Sequence, residues 1–241
     1  MKTSIFIAAV ILAGALSGTI YGLANLVLVE PYLDTAISIE NQHLFNSGKE
    51  QNTPDFWAKY YSYRAWQKGG EIIAGSIFGL AMGSLFGLVF GLTKSSLPRK
   101  NPIAKSLFLA MIMWAVLYIV PFAKFPANLP GMEGSETIIP RQTLYLTMLT
   151  ISGLGAVGFF VFYKKTGKKL ASITGYAILV IMAFFIIPAN PNSPQLDSQL
   201  IFFRLATITG MTMFWISLAI IFGALWIKLN LDQIYEKKSK N

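Results

Sequence analysis

The sequence predicts an all-α integral membrane protein with six transmembrane helices, arranged as three hairpins with a long first outer loop. Of the 241 residues, 54% are hydrophobic and only 13% are charged, which is about half the charged share of a soluble domain. Six apolar runs are each near the roughly 20 helical residues that cross a bilayer. Because the runs lack strand-like alternation and lipid offers unpaired backbone no partner, we expect helices. The predicted spans of a single polytopic domain (residues 1–241) cover residues 4–29, 72–93, 103–122, 144–163, 170–187 and 201–227.

The first apolar run begins like a secretory signal peptide, with Lys2 ahead of it and a candidate cleavage site at Ala13-Gly14-Ala15. The run continues to Val29, well beyond the roughly 7–15 apolar residues of a signal peptide. We therefore expect a retained first helix.

Basic residues are divided unevenly between the segments that connect the spans. With the amino terminus in the cytoplasm, the inner segments carry thirteen basic and two acidic residues, and the outer segments seven basic and nine acidic. The positive-inside rule then predicts a multi-pass plasma-membrane protein with both termini in the cytoplasm. Contact with anionic membrane lipids explains the basic carboxyl-terminal tail. We expect no nucleic-acid partner.

Glycine recurs at every fourth position in the first two spans. This spacing lets a second backbone approach closely, so helix packing is the preferred interpretation, and a glycine-lined conduit is the alternative. The predicted packing residues are Gly14, Gly18, Gly22, Gly75, Gly79, Gly83, Gly87 and Gly91.

The middles of the predicted spans contain no ionisable residue, which argues against a self-sufficient proton-driven pump. Among the polar residues that remain there, Asn25 is notable because a buried amide requires hydrogen-bond partners. The chain also has no cysteine, no P-loop and no H-E-x-x-H motif. We therefore expect no enzymatic activity and assign no catalytic residue.

The first outer segment, residues 30–70, contains the only histidine of the chain and several carboxylates. On a helix Glu40 and His43 share a face, a spacing that can chelate a metal. Asp34 and Glu30 are candidate further ligands, and imidazole with carboxylates suits a divalent transition ion. We expect a transient divalent cation and no tightly bound cofactor. A solvated acidic loop is the alternative interpretation.

The second half of this segment, "TPDFWAKYYSYRAWQKGG", predicts a helix with Thr53 as N-cap and Pro54 at its first position. Four aromatic residues between positions 56 and 61 fall on one side of it. Such rings favour the lipid headgroup layer, so the helix either lies in the interface or extends the second span.

Each outer connector ends in an arginine at the start of the following helix. Pro121 and Pro188 are expected to end the helices before them. We expect the arginines to anchor stiff loops to lipid phosphate or to carboxylates such as Glu71, Glu133, Glu136 or Asp197. The predicted residues of a shaped outer vestibule are Arg64, Pro130, Gly131, Arg141, Gln142 and Arg204.

At these segments the chain resembles the CbtA family of cobalt transporter subunits. The matching stretches are "VEPYLDTAISIEN", "RAWQKGGEIIAGSIFGLAMG", "VPFAKFPANLPG", "IPANPNSPQ" and "FFRLATITGMTMFW". The resemblance implies cobalt uptake linked to cobalamin synthesis, with a small one-helix partner subunit that carries a His-rich tail. By position the resemblance implies that the candidate functional residues are Glu40, Arg64, Pro130, Gly131, Arg141 and Gln142. This chain departs from the family in lacking a His-rich segment and in its predicted helix count, which is higher than the family's.

The sequence is compatible with two main functions. The first is a membrane subunit of a divalent-metal uptake system, with cobalt as the ion. The second is a non-catalytic scaffold or accessory subunit of a larger membrane complex. A membrane enzyme is the third and least supported interpretation.

The predicted topology can be tested with cysteine substitutions at Lys165 and Asn192, because the chain has no cysteine of its own. In intact cells a membrane-impermeant maleimide should label the Asn192→Cys variant and leave Lys165→Cys unlabelled until the cells are opened. The reverse pattern would show that the orientation is inverted.

Overall fold

The computed structural model describes residues 2–98, 101–132 and 135–231, and these residues form helices and connecting segments without any strand. The helices of this described part are α1 (Lys2–Leu28), α2 (Glu30–Asn46), α3 (Pro54–Thr93), α4 (Pro102–Lys124), α5 (Ser135–Thr166), α6 (Lys169–Ile186) and α7 (Ser198–Lys228). All except α2 are long and apolar enough to cross a membrane. The predicted all-α membrane class with six spans is therefore confirmed.

The chain divides into two compact units. Unit 1 comprises Met1–Met111 and Leu205–Asn241, and unit 2 comprises Ile112–Arg204. The boundaries fall within α4 and α7, so each of these helices contributes residues to both units. The single polytopic domain stays a prediction.

Unit 1 is organised by a close contact between α1 and α3. A Cβ atom added at Gly79 would lie 2.6 Å from the Gly18 Cα, and one added at Gly83 would lie 2.7 Å from the Gly14 Cα. Any larger side chain would overlap the facing backbone, so only glycine permits this helix spacing. Dispersion between the backbones thereby replaces the hydrophobic drive that is missing in lipid.

The predicted glycine stripe is one residue too long. A Cβ added at Gly87 would meet the Val10 side chain, whereas one added at Gly91 would meet nothing within 4 Å in the described part of the chain. Each four-residue step overshoots a helical turn by about 40°. The stripe consequently winds around α3 and leaves the α1 contact before Gly91.

Aromatic rings from three helices fill the remainder of the unit 1 core. Phe222 of α7 packs edge-to-face against Phe86 of α3 at 5.4 Å and against Phe6 of α1 at 6.3 Å, measured between ring centroids. The Trp226 ring centroid lies 5.0 Å from that of Phe90, with the two rings tilted by 60°. Such ring pairs bury a large area in a preferred geometry, and they place α7 against both α1 and α3.

In unit 2, the prediction that Pro121 ends its helix is wrong. α4 passes through a π-helical segment, Ala115–Ile119, in which the Val120 N–H donates to the Ala115 carbonyl five residues earlier, and it continues to Lys124. In this π-helical pattern the N–H of residue 121 would donate to the Val116 carbonyl, but Pro121 has no N–H. The Ser152 hydroxyl supplies that donor at 2.7 Å, so a neighbouring helix satisfies the freed carbonyl. Pro188 behaves as predicted, because α6 ends at Ile186.

The first polar segment is more helical than the sequence suggested. Residues 30–46 form α2, and the predicted helix at Pro54 extends the second span as the continuous α3. Thr53 is its N-cap, since the Thr53 hydroxyl accepts a hydrogen bond from the Phe56 N–H at 3.3 Å. α5 likewise begins earlier than expected, at Ser135, with Pro140 inside its second turn.

The glycine contact predicts that Gly79→Leu separates α1 from α3. Overpacking at such a site should lower the free energy of unfolding by at least about 1–3 kcal/mol, which a thermal denaturation of the purified protein would detect. Gly91→Leu is the matched control on the same helix, because its side chain would enter open space. Equal stability of the two variants would contradict the packing assignment.

Candidate functional site

The candidate site in unit 1 is built around Arg64 of α3, whose side chain is only 9% exposed. Its Nη2 atom pairs with the carboxylate of Glu30 and, at 2.8 Å, with Oδ1 of Asp34. The two carboxylates are four residues apart at the start of α2 and therefore share one face of that helix. A single guanidinium thus ties the beginning of α2 to α3.

Lys68, one turn further along α3, completes the group. Its Nζ atom lies 2.6 Å from Asp34 Oδ2 and 3.8 Å from Glu30 Oε2. Arg64 also donates from Nη1 to the side-chain oxygen of Gln67 at 2.8 Å. We call Glu30, Asp34, Arg64 and Lys68 the Arg64 cluster; its two carboxylates balance its two cations.

The charge state of the cluster is fixed by its own pairs. Burial by itself would raise the pKa of Asp34, but the hydrogen bonds and positive charges of Lys68 and Arg64 outweigh it and hold that pKa below its usual value. Asp34 therefore stays ionised at neutral pH. The stability it contributes is present above the ordinary pKa of an aspartate and is lost as pH falls through the lowered value.

The predicted metal ligands are found in two places along α2. Glu30 and Asp34 belong to the Arg64 cluster, whereas Glu40 and His43 lie further along with exposed side chains. Ten residues of helix rise about 15 Å, too far for Glu30 and Glu40 to share one ion. Among the described residues, no three Asp, Glu or His side chains are grouped closely enough to hold a metal. The structure does not assemble the four ligands, and metal binding by Glu40 with His43 stays a prediction.

Aromatic residues close the turn between α2 and α3. Phe45 of α2 packs edge-to-face against Phe56 at 4.9 Å and against Trp57 at 5.8 Å. The aromatic side of α3 therefore packs in part against α2. Tyr61, Tyr63 and Trp66 remain exposed. Tyr63 and Trp66 stack at 6.0 Å between ring centroids, and all three rings have the chemistry of the headgroup layer.

A second polar group continues from the Arg64 cluster along α3. A Cβ added at Gly22 would lie 3.0 Å from the Glu71 carbonyl oxygen, so α1 and α3 are in backbone contact here. The Asn25 side chain, one turn beyond Gly22, lies close enough to interact with the side chains of both Tyr21 and Glu71. Sequence reasoning identified Asn25 but considered Glu71 only as an arginine anchor. The position of Glu71 one turn after Lys68, opposite a glycine of α1, is the signal that points to it.

Unit 2 has a site of a different kind, in which two arginines hold the segment after α4. Arg141 of α5 donates from Nη2 to the Pro126 carbonyl. Arg204 donates from Nε to the Ala127 carbonyl at 2.9 Å and from Nη2 to Asn128 Oδ1 at 2.8 Å. Two of these bonds reach backbone carbonyls and one reaches a side-chain amide. Anchoring of these two arginines to carboxylates or lipid phosphate stays a prediction. Of the predicted carboxylate anchors, Glu133 lies outside the described residues.

The connector after α6 joins the same segment. Asn192 donates from Nδ2 to the Met132 carbonyl at 3.0 Å. Gly131 adopts a φ of 76°, a left-handed conformation that glycine tolerates, and it lies exposed beside Pro130. Gln142 is exposed as well. Arg64 belongs to unit 1 and the other predicted vestibule residues to unit 2, so a shared vestibule stays a prediction.

Comparison with known proteins identifies one family. A family model described as "Probable cobalt transporter subunit (CbtA)" matches residues 3–227, nearly the whole chain. No curated protein and no solved structure matches. The family resemblance of the sequence segments is thereby confirmed.

The Arg64 cluster predicts that Arg64→Met is strongly destabilising. The substitution leaves the buried Glu30 carboxylate without its main partner, which should cost about 3–5 kcal/mol and lower the thermal midpoint of the purified protein. Lys59→Met is the matched control, because Lys59 is an exposed cation on the same helix. Adding Glu30→Gln to Arg64→Met should restore part of the loss; if Arg64→Met is as stable as Lys59→Met, the cluster has no structural role.

Proposed function

Because the chain belongs to the CbtA family, we propose that it is a membrane subunit of a divalent-metal uptake system and that cobalt is the ion. The observation that carries this proposal is the family match over residues 3–227, on a chain whose described part has six helices of membrane length. We further propose that it lies in the plasma membrane with both termini in the cytoplasm, as the distribution of basic residues favours.

Ion capture is proposed for the exposed end of α2. Glu40 and His43 are one turn apart there, and both side chains face solvent. An exposed carboxylate–imidazole pair binds a divalent ion with modest strength because most of the coordination shell remains water. Weak capture suits a transport protein, which must release its ion.

A partner subunit is proposed from the exposed apolar surface of unit 2. In α5 and α6 only 11% of the most apolar window is buried within the protein. Membrane lipids can cover such a surface, and a one-helix partner can pack against it. The family description as a transporter subunit supports the second component.

A non-catalytic accessory role is the second candidate. The observation that favours it is the Arg64 cluster, in which Glu30 and Asp34 are already engaged by Arg64 and Lys68. Those carboxylates then serve to hold α2 against α3. On this account, loss of the chain would remove a co-purifying complex and leave cobalt uptake unchanged.

The proposal predicts that deletion of the gene abolishes cobalt accumulation in cells that depend on this system. His43→Ala should lower accumulation at limiting cobalt while the membrane abundance of the protein stays constant. Gln42→Ala is the matched control, since Gln42 is the exposed neighbour on the same helix. Radioactive cobalt uptake and an immunoblot of the membrane fraction provide the two measurements.

The possible outcomes distinguish an error in the proposed capture site from an error in the proposed uptake function. Normal accumulation after deletion would contradict the uptake function. Loss of accumulation after deletion with normal accumulation in His43→Ala cells would place ion capture elsewhere in the system.

A further inference from the structure

We propose that Glu71, Asn25 and Tyr21 form an inner binding site for a divalent metal cation, with oxygen atoms as its ligands. This inference rests on the proposed uptake function and deepens it by assigning a second ion position after capture at α2. All three residues belong to unit 1, and Glu71 lies one turn of α3 beyond Lys68.

The charges around Glu71 leave its carboxylate without a counter-ion of its own. The carboxylates of Glu30 and Asp34 are matched by Arg64 and Lys68, which lie within salt-bridge distance of them. An ionised Glu71 would add one more negative charge next to this neutral group, and Glu71 forms no salt bridge in the described part of the chain. A cation bound at Glu71 would neutralise that charge.

One oxygen of the same carboxylate is buried without a hydrogen-bond partner. Glu71 Oε2 is buried, and among the described residues no group donates a hydrogen bond to it. A buried carboxylate oxygen without a partner is costly because it has lost its hydration. Arg64 and Lys68 attract this side chain from beyond salt-bridge distance, and its nearer partner is the Asn25 amide, a neutral group. The unsatisfied oxygen therefore requires either a cation or a proton.

Asn25 is held tightly against α7. Its Oδ1 faces Gly210, where an added Cβ would lie only 2.9 Å from that oxygen, so a larger residue there would displace the amide. The Tyr21 ring borders the same glycine, with its Cε2 atom 3.6 Å from the added Cβ, and the Tyr21 hydroxyl interacts with the Asn25 amide. A carboxylate, an amide and a hydroxyl therefore meet around Asn25.

The surroundings define the chemistry of the ion. Rings of Phe78 and Phe214 pack against Tyr21 at 5.7 and 6.0 Å, which closes the group with an apolar wall. Carboxylate, amide and hydroxyl oxygens suit hard or borderline divalent cations. Without imidazole or thiolate the site would hold cobalt weakly, which is what a step along a transport route requires.

The test is cobalt binding by the purified full-length protein in lipid nanodiscs, measured by equilibrium dialysis and metal analysis. Glu71→Gln should weaken cobalt binding at least about tenfold, and Gly210→Ala should weaken it because the added methyl group would displace the Asn25 oxygen. Glu50→Gln is the matched control, an exposed carboxylate in the turn before α3. Glu71→Gln removes an unpaired buried charge, so its thermal midpoint should be equal to or above that of the wild type.

Each outcome decides the proposal. Wild-type cobalt affinity in Glu71→Gln, or no cobalt binding by the wild type in dialysis, would overturn the inner site. A changed pH dependence of stability in Glu71→Gln with unchanged cobalt affinity would show that Glu71 holds a proton only, which also overturns it. If gene deletion abolishes uptake in cells and Glu71→Gln retains it, the inner site is wrong while the uptake function stands.

Discussion

The close approach of α1 to α3 is the constraint on which the rest of unit 1 depends. In lipid no hydrophobic effect drives two apolar helices together, so the contact has to come from backbone dispersion across glycines. Each glycine costs a helix about 0.5–1 kcal/mol relative to alanine, and the contact must offset that cost. The glycine contact fixes the position of α1 along α3, and this position brings Asn25 next to Glu71.

The Arg64 cluster has the complementary task of fixing α2. Burial of Arg64 and Glu30 would be unfavourable for either residue alone, but their pairing with Asp34 and Lys68 compensates the desolvation. Since these groups neutralise one another, an ionised Glu71 would carry the unbalanced charge beside them. The cluster thus holds the polar end of unit 1 together, and among the described residues Glu71 is the carboxylate with a buried unsatisfied oxygen.

The sequence was sufficient for features that depend on local chemistry. Apolar length predicts the six spans, Thr53 before Pro54 predicts the start of α3, and Pro188 predicts the end of α6. It was insufficient where a distant residue determines the outcome. Helix α4 continues past Pro121 because Ser152 satisfies the Val116 carbonyl, and Arg204 binds the Ala127 carbonyl. Neither partner can be read from the spacing around the residue itself, and the same holds for the pairing of Asn25 with Glu71.

The central claim is that helix packing creates the ion site, and one comparison tests it most directly. Cobalt binding should be measured for Gly79→Ala and Gly91→Ala in nanodiscs, because neither substitution removes a proposed ligand. The account predicts weaker binding in Gly79→Ala, where the added methyl group forces α1 away from α3, and wild-type binding in Gly91→Ala, where it meets open space. Equal cobalt affinity in the two variants would contradict the claim.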